Sequence, residues 1–145
     1  MKNSTPKFTN LPSWDLSDLY VSPDSVEIEK DFKWLEKSIK NFKFKYEGRL
    51  KTLTGNSFLK CIIEHENIEK KIGRIMSFSS LRYYQKTDDP SRVKFLADNQ
   101  DKLTAMTGDL VFFSLEFNKI SDNKLNRMIR NNIKLSNYSS AFRRM

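Results

Sequence analysis

The chain has one histidine, and it stands in a suggestive place. His65-Glu66-Asn67-Ile68-Glu69 begins like the zinc-binding helix pattern H-E-x-x-H. That pattern works because two imidazoles one helical turn apart face the same metal ion. Here the second position is Glu69, and no third ligand is evident. A structural helical histidine is the expectation. Glu64/Glu66 and Asp88/Asp89 pair carboxylates without a partner suited to acid–base work. The first pair reads as a solvated helix face, the second as a turn into a proline-started helix. Cys61, the only cysteine, sits beside Ile62 and Ile63 and reads as a buried thiol, not a nucleophile. No glycine-rich phosphate loop is present, and the serines between Gly73 and Leu81 have no accompanying base. No residue is therefore assigned a catalytic, cofactor-binding or metal-ligating role.

The elements that hold these residues are helical by composition and pattern. The chain has 145 residues, 4 Gly and 4 Pro, with 38% hydrophobic and 30% charged side chains. That is the composition of one folded domain with few breaks. Residues 1–23 read as an extended leader, since Pro6, Pro12 and Pro23 prevent a continuous helix. Leu11, Trp14, Leu16, Leu19 and Tyr20 are expected to tether it to the helices, with Trp14 buried. Residues 24–145 read as the helical domain.

Three long antiparallel helices and a shorter fourth are expected, giving an all-α fold. The first runs from about Asp24 to Tyr46, with Ile28, Phe32, Leu35, Ile39, Phe42 and Tyr46 as one apolar stripe and Gly48 as its stop. The second runs to about Gln85 after Thr54-Gly55-Asn56-Ser57, buried along Phe58, Ile62, Ile68, Ile72, Ile75, Ser79 and Tyr83. Gly73, Ser77, Ser79 and Ser80 mark an expected close helix crossing. Pro90 opens the third, where Leu96, Leu103, Leu110 and Phe117 recur every seven residues and Met106 and Phe113 fill the intervening positions. Gly108 weakens it locally. The run from Val111 to Phe117 is apolar nearly all round, which predicts burial from several sides. Ser121-Asp122 caps the fourth helix, which carries Leu125, Met128 and Ile129 on one face.

Charge and targeting signals narrow the setting. The formal net charge is +8. From Asn123 onward the chain holds Lys124, Arg127, Arg130, Lys134, Arg143 and Arg144 and no acidic residue. Clustered cations with Tyr138 and Phe142 would suit phosphates and bases. No reader motif accompanies them, so a solvated or partner-facing tail is expected, not a nucleic-acid binder. A lone cysteine implies no oxidising compartment. Residues 1–10 have no apolar run of a secretory signal, and no stretch approaches the length of a bilayer span. A cytoplasmic location with no membrane contact is the expectation.

One resemblance covers essentially the whole chain. Pro12-Ser13-Trp14-Asp15-Leu16-Ser17-Asp18-Leu19-Tyr20, followed by Ser22-Pro23-Asp24, resembles the opening of oligoendopeptidase F-type proteins of the thimet oligopeptidase-like superfamily. Tyr46-Glu47-Gly48-Arg49-Leu50 resembles their Y-x-G-K/R-L helix exit. Gly73-Arg74-Ile75-Met76-Ser77-Phe78-Ser79-Ser80-Leu81 resembles their R-L-x-S-Y-A-x-L stretch, and Thr87-Asp88-Asp89-Pro90 their D-x-x-D-P turn. Leu110-Val111-Phe112-Phe113-Ser114-Leu115-Glu116 resembles their L-x-F-F-x-L-E segment.

The resemblance implies a mostly α-helical N-terminal region of a zinc metallopeptidase that helps wall a substrate channel for oligopeptides. The family's zinc is held by the histidines of H-E-x-x-H and a later glutamate, far downstream of the segments matched here. None of those residues has a counterpart in this chain, and His65 does not substitute for them. The expectation is a chain inactive alone that binds no cofactor itself. Its expected partner is the missing catalytic region, or a second chain carrying it. A gene remnant, a docking subunit and an N-terminal piece all fit, and the abrupt basic end favours truncation. A non-enzymatic helical interaction module is the alternative reading, and a nucleic-acid binder acting through the basic tail is a less favoured one.

Overall fold

A computed structural model describes residues 15–138. The expected burial of Trp14 and the distal basic tail, including Phe142, Arg143 and Arg144, lie outside the described residues. Among those described there is no strand, and the fold is all-α.

The helices are α1 (Val26–Tyr46), α2 (Gly55–Gln85), α3 (Pro90–Thr107), α4 (Val111–Asn118), α5 (Asp122–Asn131) and α6 (Ile133–Ser136). Short 3-10 turns at Leu50–Thr52 and Gly108–Leu110 interrupt the connections. Local chemistry sets the boundaries. The Ser25 hydroxyl accepts from the Glu27 N–H and starts α1 two residues after Asp24. Gly48, at φ 77°, turns the chain away from α1 in a conformation that side chains disfavour. Thr54 and Ser57 form a capping box at the start of α2. Asp89 caps α3 with Pro90 in its first turn, and Ser121 caps α5 by accepting from the Lys124 N–H.

Contacts between helices fix their directions. Asp31, early in α1, meets Lys71 and Arg74, late in α2. Lys45, late in α1, meets Glu64, early in α2. On the other side of α2, Phe78 packs on Phe95 and Ser79 meets Asn99, while His65 stacks on Phe113 and Phe58 on Phe117. The α2 helix therefore runs opposite to α1 and opposite to the α3–α4 path. One core threads all three, from Tyr20 in the leader to Leu135 in α6.

Three expectations need correction. The expected third helix is not continuous. Its seven-residue seam does bury Leu103, Leu110, Phe113 and Phe117, but the backbone tightens into a 3-10 turn at Gly108 and separates α3 from α4. The pattern of three long helices and one shorter becomes α1, α2 and α3, then α4, α5 and the single turn α6. Second, α4 is not enclosed: Val111 is 54% and Leu115 58% exposed, while Phe112, Phe113 and Phe117 are buried. An eight-residue helix against one body has one covered face, whatever the character of the other. Third, the expected close crossing takes in only part of the run Gly73, Ser77, Ser79 and Ser80, since Gly73 is exposed and an added methyl group there would meet nothing within 4 Å. It lies at buried Ser79, whose small side chain leaves room for Asn99.

Candidate functional site

The titratable residues singled out from sequence do not converge on one site, and most are engaged structurally. His65 lies flat against Phe113, with centroids 4.0 Å apart and rings 16° from parallel, and beside Phe42. Burial holds its pKa below the ordinary value. Its Nε2 is 3.6 Å from an oxygen of Glu69, a half-exposed partner that does not outweigh the desolvation. Cys61 is buried and its thiol is pushed up to about 12, chiefly by burial and then by Glu64. That thiol is not a nucleophile near neutrality. Glu64 pairs with Lys45 at 2.8 Å, Glu66 pairs with Lys70, and Asp89 serves as a helix cap. Among the described residues, no three His, Cys, Asp or Glu side chains gather as a metal ion requires. No helix among them is long and apolar enough to cross a membrane.

Two polar clamps instead dominate the packing. In the first, the Tyr20 hydroxyl donates to the Asp31 carboxylate, whose other contacts are Arg74 Nη1 at 3.1 Å and Lys71 Nζ at 3.2 Å. Arg74 also donates from Nε to the Leu19 carbonyl at 2.8 Å and lies over the Tyr20 ring. One guanidinium thus joins the leader, α1 and α2. Burial raises the Tyr20 pKa, and the adjacent carboxylate raises it further, so the hydroxyl stays a donor. Asp31 is only 8% exposed, a burial for a carboxylate that its three partners make tolerable.

In the second clamp, Glu116 of α4 accepts from the Gly48 N–H at 2.7 Å and the Leu50 N–H at 3.3 Å. Both donors belong to the chain reversal after α1, where helix geometry has ended and backbone amides need acceptors.

Neither clamp is assigned from sequence. For Asp31 a signal exists: it lies three residues after Ile28 and four before Leu35, on the apolar stripe itself. For Glu116 the acceptor role depends on a backbone reversal 68 residues away, which no local pattern encodes.

The surface also carries an open seam between α1 and the α3–α4 path. A cavity of about 330 Å³ is lined by Ile39, Lys40, Lys102, Met106 and Asp109. A second, of about 400 Å³, is lined by Gly48, Lys51, Phe112, Leu115 and Lys119. The Lys43–Asp109 ion pair, at 3.3 Å, crosses the seam. Phe44, 82% exposed, stands on α1 one turn from both Lys40 of the first cavity and Glu47 of the second.

Comparison with family models, with curated proteins and with solved structures gave no match.

Proposed function

We propose that this chain is the N-terminal helical part of a zinc-dependent oligopeptide endopeptidase of the oligoendopeptidase F type, inactive by itself. The observation that carries this reading is where the resembling segments meet. Tyr20 of the W-D-L-S-D-L-Y stretch is held by Arg74 of the G-R-I-M-S-F-S-S-L stretch. Glu116, which ends the L-x-F-F-x-L-E segment, binds Gly48 and Leu50 of the helix exit. Asp89 of the D-D-P turn caps α3. Segments matched separately in sequence form mutual contacts that build a scaffold, as a channel wall needs.

The residues present do not fit the zinc of that family. His65 is stacked on Phe113, and its one nearby acidic partner, Glu69, supplies no second imidazole. The metal and the water it activates belong to a catalytic region supplied from elsewhere, whose substrates would be short peptides in the cytoplasm.

The test is reconstitution. The purified chain alone is expected to cleave no short peptide with or without zinc. Mixed with the catalytic region of an oligoendopeptidase F-type enzyme lacking its own N-terminal helices, it is expected to associate and restore cleavage. Zinc-dependent hydrolysis by the chain alone would overturn its inactivity, and failure to associate would overturn the assignment. A self-contained helical interaction module is the second reading, favoured by the continuous core from Tyr20 to Leu135. It predicts no binding of a hydrophobic dye, whereas the scaffold reading predicts dye binding at the exposed apolar seam.

A further inference from the structure

We propose that the outward face of α5 and α6 binds nucleic acid through its phosphate backbone. This goes beyond the scaffold reading and does not depend on it. Three observations carry it.

The first is how α5 is turned. Met128 is buried, and Leu125 and Ile129 are partly buried, so the apolar side lies against the body. The opposite side carries Asn123, Asn126, Arg127, Arg130 and Asn131, all exposed. Lys134, on α6 just past the cap at Asn132, is exposed too. Two contacts hold this orientation. The Lys124 ammonium donates to the Lys51 carbonyl near the start of α5, and the Asn132 amide donates to the Asn56 side chain at 3.1 Å beyond its end. The basic side chains therefore stand on packed helix.

The second is charge. On α1, α2 and α3, exposed cations are paired one turn apart, as in Glu29–Lys33, Glu36–Lys40, Glu66–Lys70 and Lys94–Asp98. Neither α5 nor α6 carries such a pair. Arg127, Arg130 and Lys134 have no carboxylate within 4 Å among the described residues, and neither do the flanking Lys51, Lys119 and Lys124. From Lys119 to Tyr138 the sole acidic side chain is Asp122. A face of one sign, uncompensated, attracts a polyanion.

The third is the chemistry of the face. A guanidinium fork matches two phosphate oxygens, and an asparagine amide donates to phosphate or pairs with a base edge. Other occupants fit less well. A bilayer needs the apolar side of the helix free to insert, and here Met128 is in the core. An acidic protein partner needs aromatic or aliphatic anchors, and Ile133 is the one large apolar side chain exposed on α5 or α6.

The test must separate this face from general attraction to a chain of net charge +8. Fluorescence anisotropy of a labelled DNA duplex of about 20 base pairs, titrated with the whole chain from about 50 to 200 mM salt, gives affinity and its salt slope. The parent is expected to bind. Reversing Arg127, Arg130 and Lys134 together to Glu is expected to weaken binding roughly a hundredfold and to lower the salt slope by about three, near 0.9 per lost phosphate contact. The control reverses Lys30, Lys37 and Lys86 to Glu, exposed cations elsewhere that also lack a carboxylate within 4 Å among the described residues. It makes the same change in net charge and is expected to stay within about threefold of the parent. Circular dichroism checks that each variant is folded. Arg127→Gln with Arg130→Gln, which keeps the face polar, is expected to weaken binding roughly tenfold and tests the face should the triple reversal unfold. Equal weakening by the two triple variants would reduce the effect to net charge and overturn the face. A parent that does not bind at about 50 mM salt would overturn the proposal outright. Tighter binding of the parent to phosphatidylcholine vesicles containing phosphatidylserine, lost in the Arg127, Arg130 and Lys134 variant, would assign the face to anionic lipid and overturn nucleic acid.

Discussion

Glu116 and Gly48 lie 68 residues apart in sequence and 2.7 Å apart in space, carboxylate oxygen to backbone nitrogen. The glycine turns the chain at a positive φ, and the glutamate holds that turn against α4. A long-range side chain thus does for this reversal what a local cap does for a helix end.

Glu116→Ala is expected to destabilise the fold by about 2 kcal/mol, the scale of hydrogen bonds to a charged acceptor. Glu116→Gln keeps one acceptor oxygen and should lose roughly half of that. Urea unfolding followed by circular dichroism measures both. A midpoint unchanged by Glu116→Ala would show that solvent satisfies the Gly48 and Leu50 amides equally well.

The Asp31 clamp yields an ordered pair of effects. Arg74→Ala removes the leader contact at Leu19, the cover on Tyr20 and one of two cations on a buried carboxylate, and should cost about 3 kcal/mol. Tyr20→Phe keeps the ring and removes only one donor to Asp31, with an expected cost of about 1 kcal/mol. The double variant should fall short of the sum, because both act on the same carboxylate. Additivity in a double-mutant cycle would mean that the two contacts are independent.

The helices are legible in the sequence where local chemistry decides, and less so where a neighbour does. Pro90, Ser121 and Gly48 mark boundaries through properties they carry alone, and the structure places boundaries at each. The stripe on α1 is legible because Ile28, Leu35, Ile39 and Phe42 share one face. The break at Gly108 is legible only as a local weakness, because glycine is a poor helix former but does not by itself say that the helix ends there. Val111 and Leu115 are apolar yet exposed, because apolarity alone does not say which face finds a partner. The clamps and the seam escape a sequence reading, since each joins residues from two or three distant segments.

Ser79 and Asn99 form a buried polar contact between α2 and α3. Asn99 Nδ2 donates to the Ser79 hydroxyl at 2.9 Å, and that hydroxyl donates to the Ile75 carbonyl at 2.8 Å. Ser79→Ala leaves an enclosed amide without its acceptor and should cost about 2 kcal/mol. Adding Asn99→Leu removes the stranded donor and should recover part of the loss. A double variant no more stable than Ser79→Ala would indicate that leucine cannot pack in the Asn99 site.

Cys61 reports on global opening. It is fully enclosed, and its thiol pKa of about 12 leaves little thiolate near neutrality. Labelling by an aromatic disulfide reagent at pH 8 should proceed roughly a thousandfold more slowly than for a free thiol. It should accelerate with urea in step with unfolding. Fast labelling in native buffer would place a local opening of α2 around Cys61.

His65 should give the stability a pH dependence of definite sign. Burial against Phe113 and Phe42 lowers its pKa in the fold from the ordinary 6.5. Between that lowered value and 6.5 the unfolded chain binds more protons than the folded one, so stability rises with pH. The contribution is complete above 6.5 and is lost as pH falls toward the folded value. Glu69, whose pKa burial raises from 4.5, acts in the opposite direction, favouring the fold as pH falls toward 4.5. Melting temperatures of the parent and His65→Phe between pH 5.5 and 7.5 therefore isolate the histidine. The parent should lose stability relative to the variant on acidification. An equal slope in both would mean that the imidazole takes its proton in the fold as readily as in water, with Glu69 offsetting the burial.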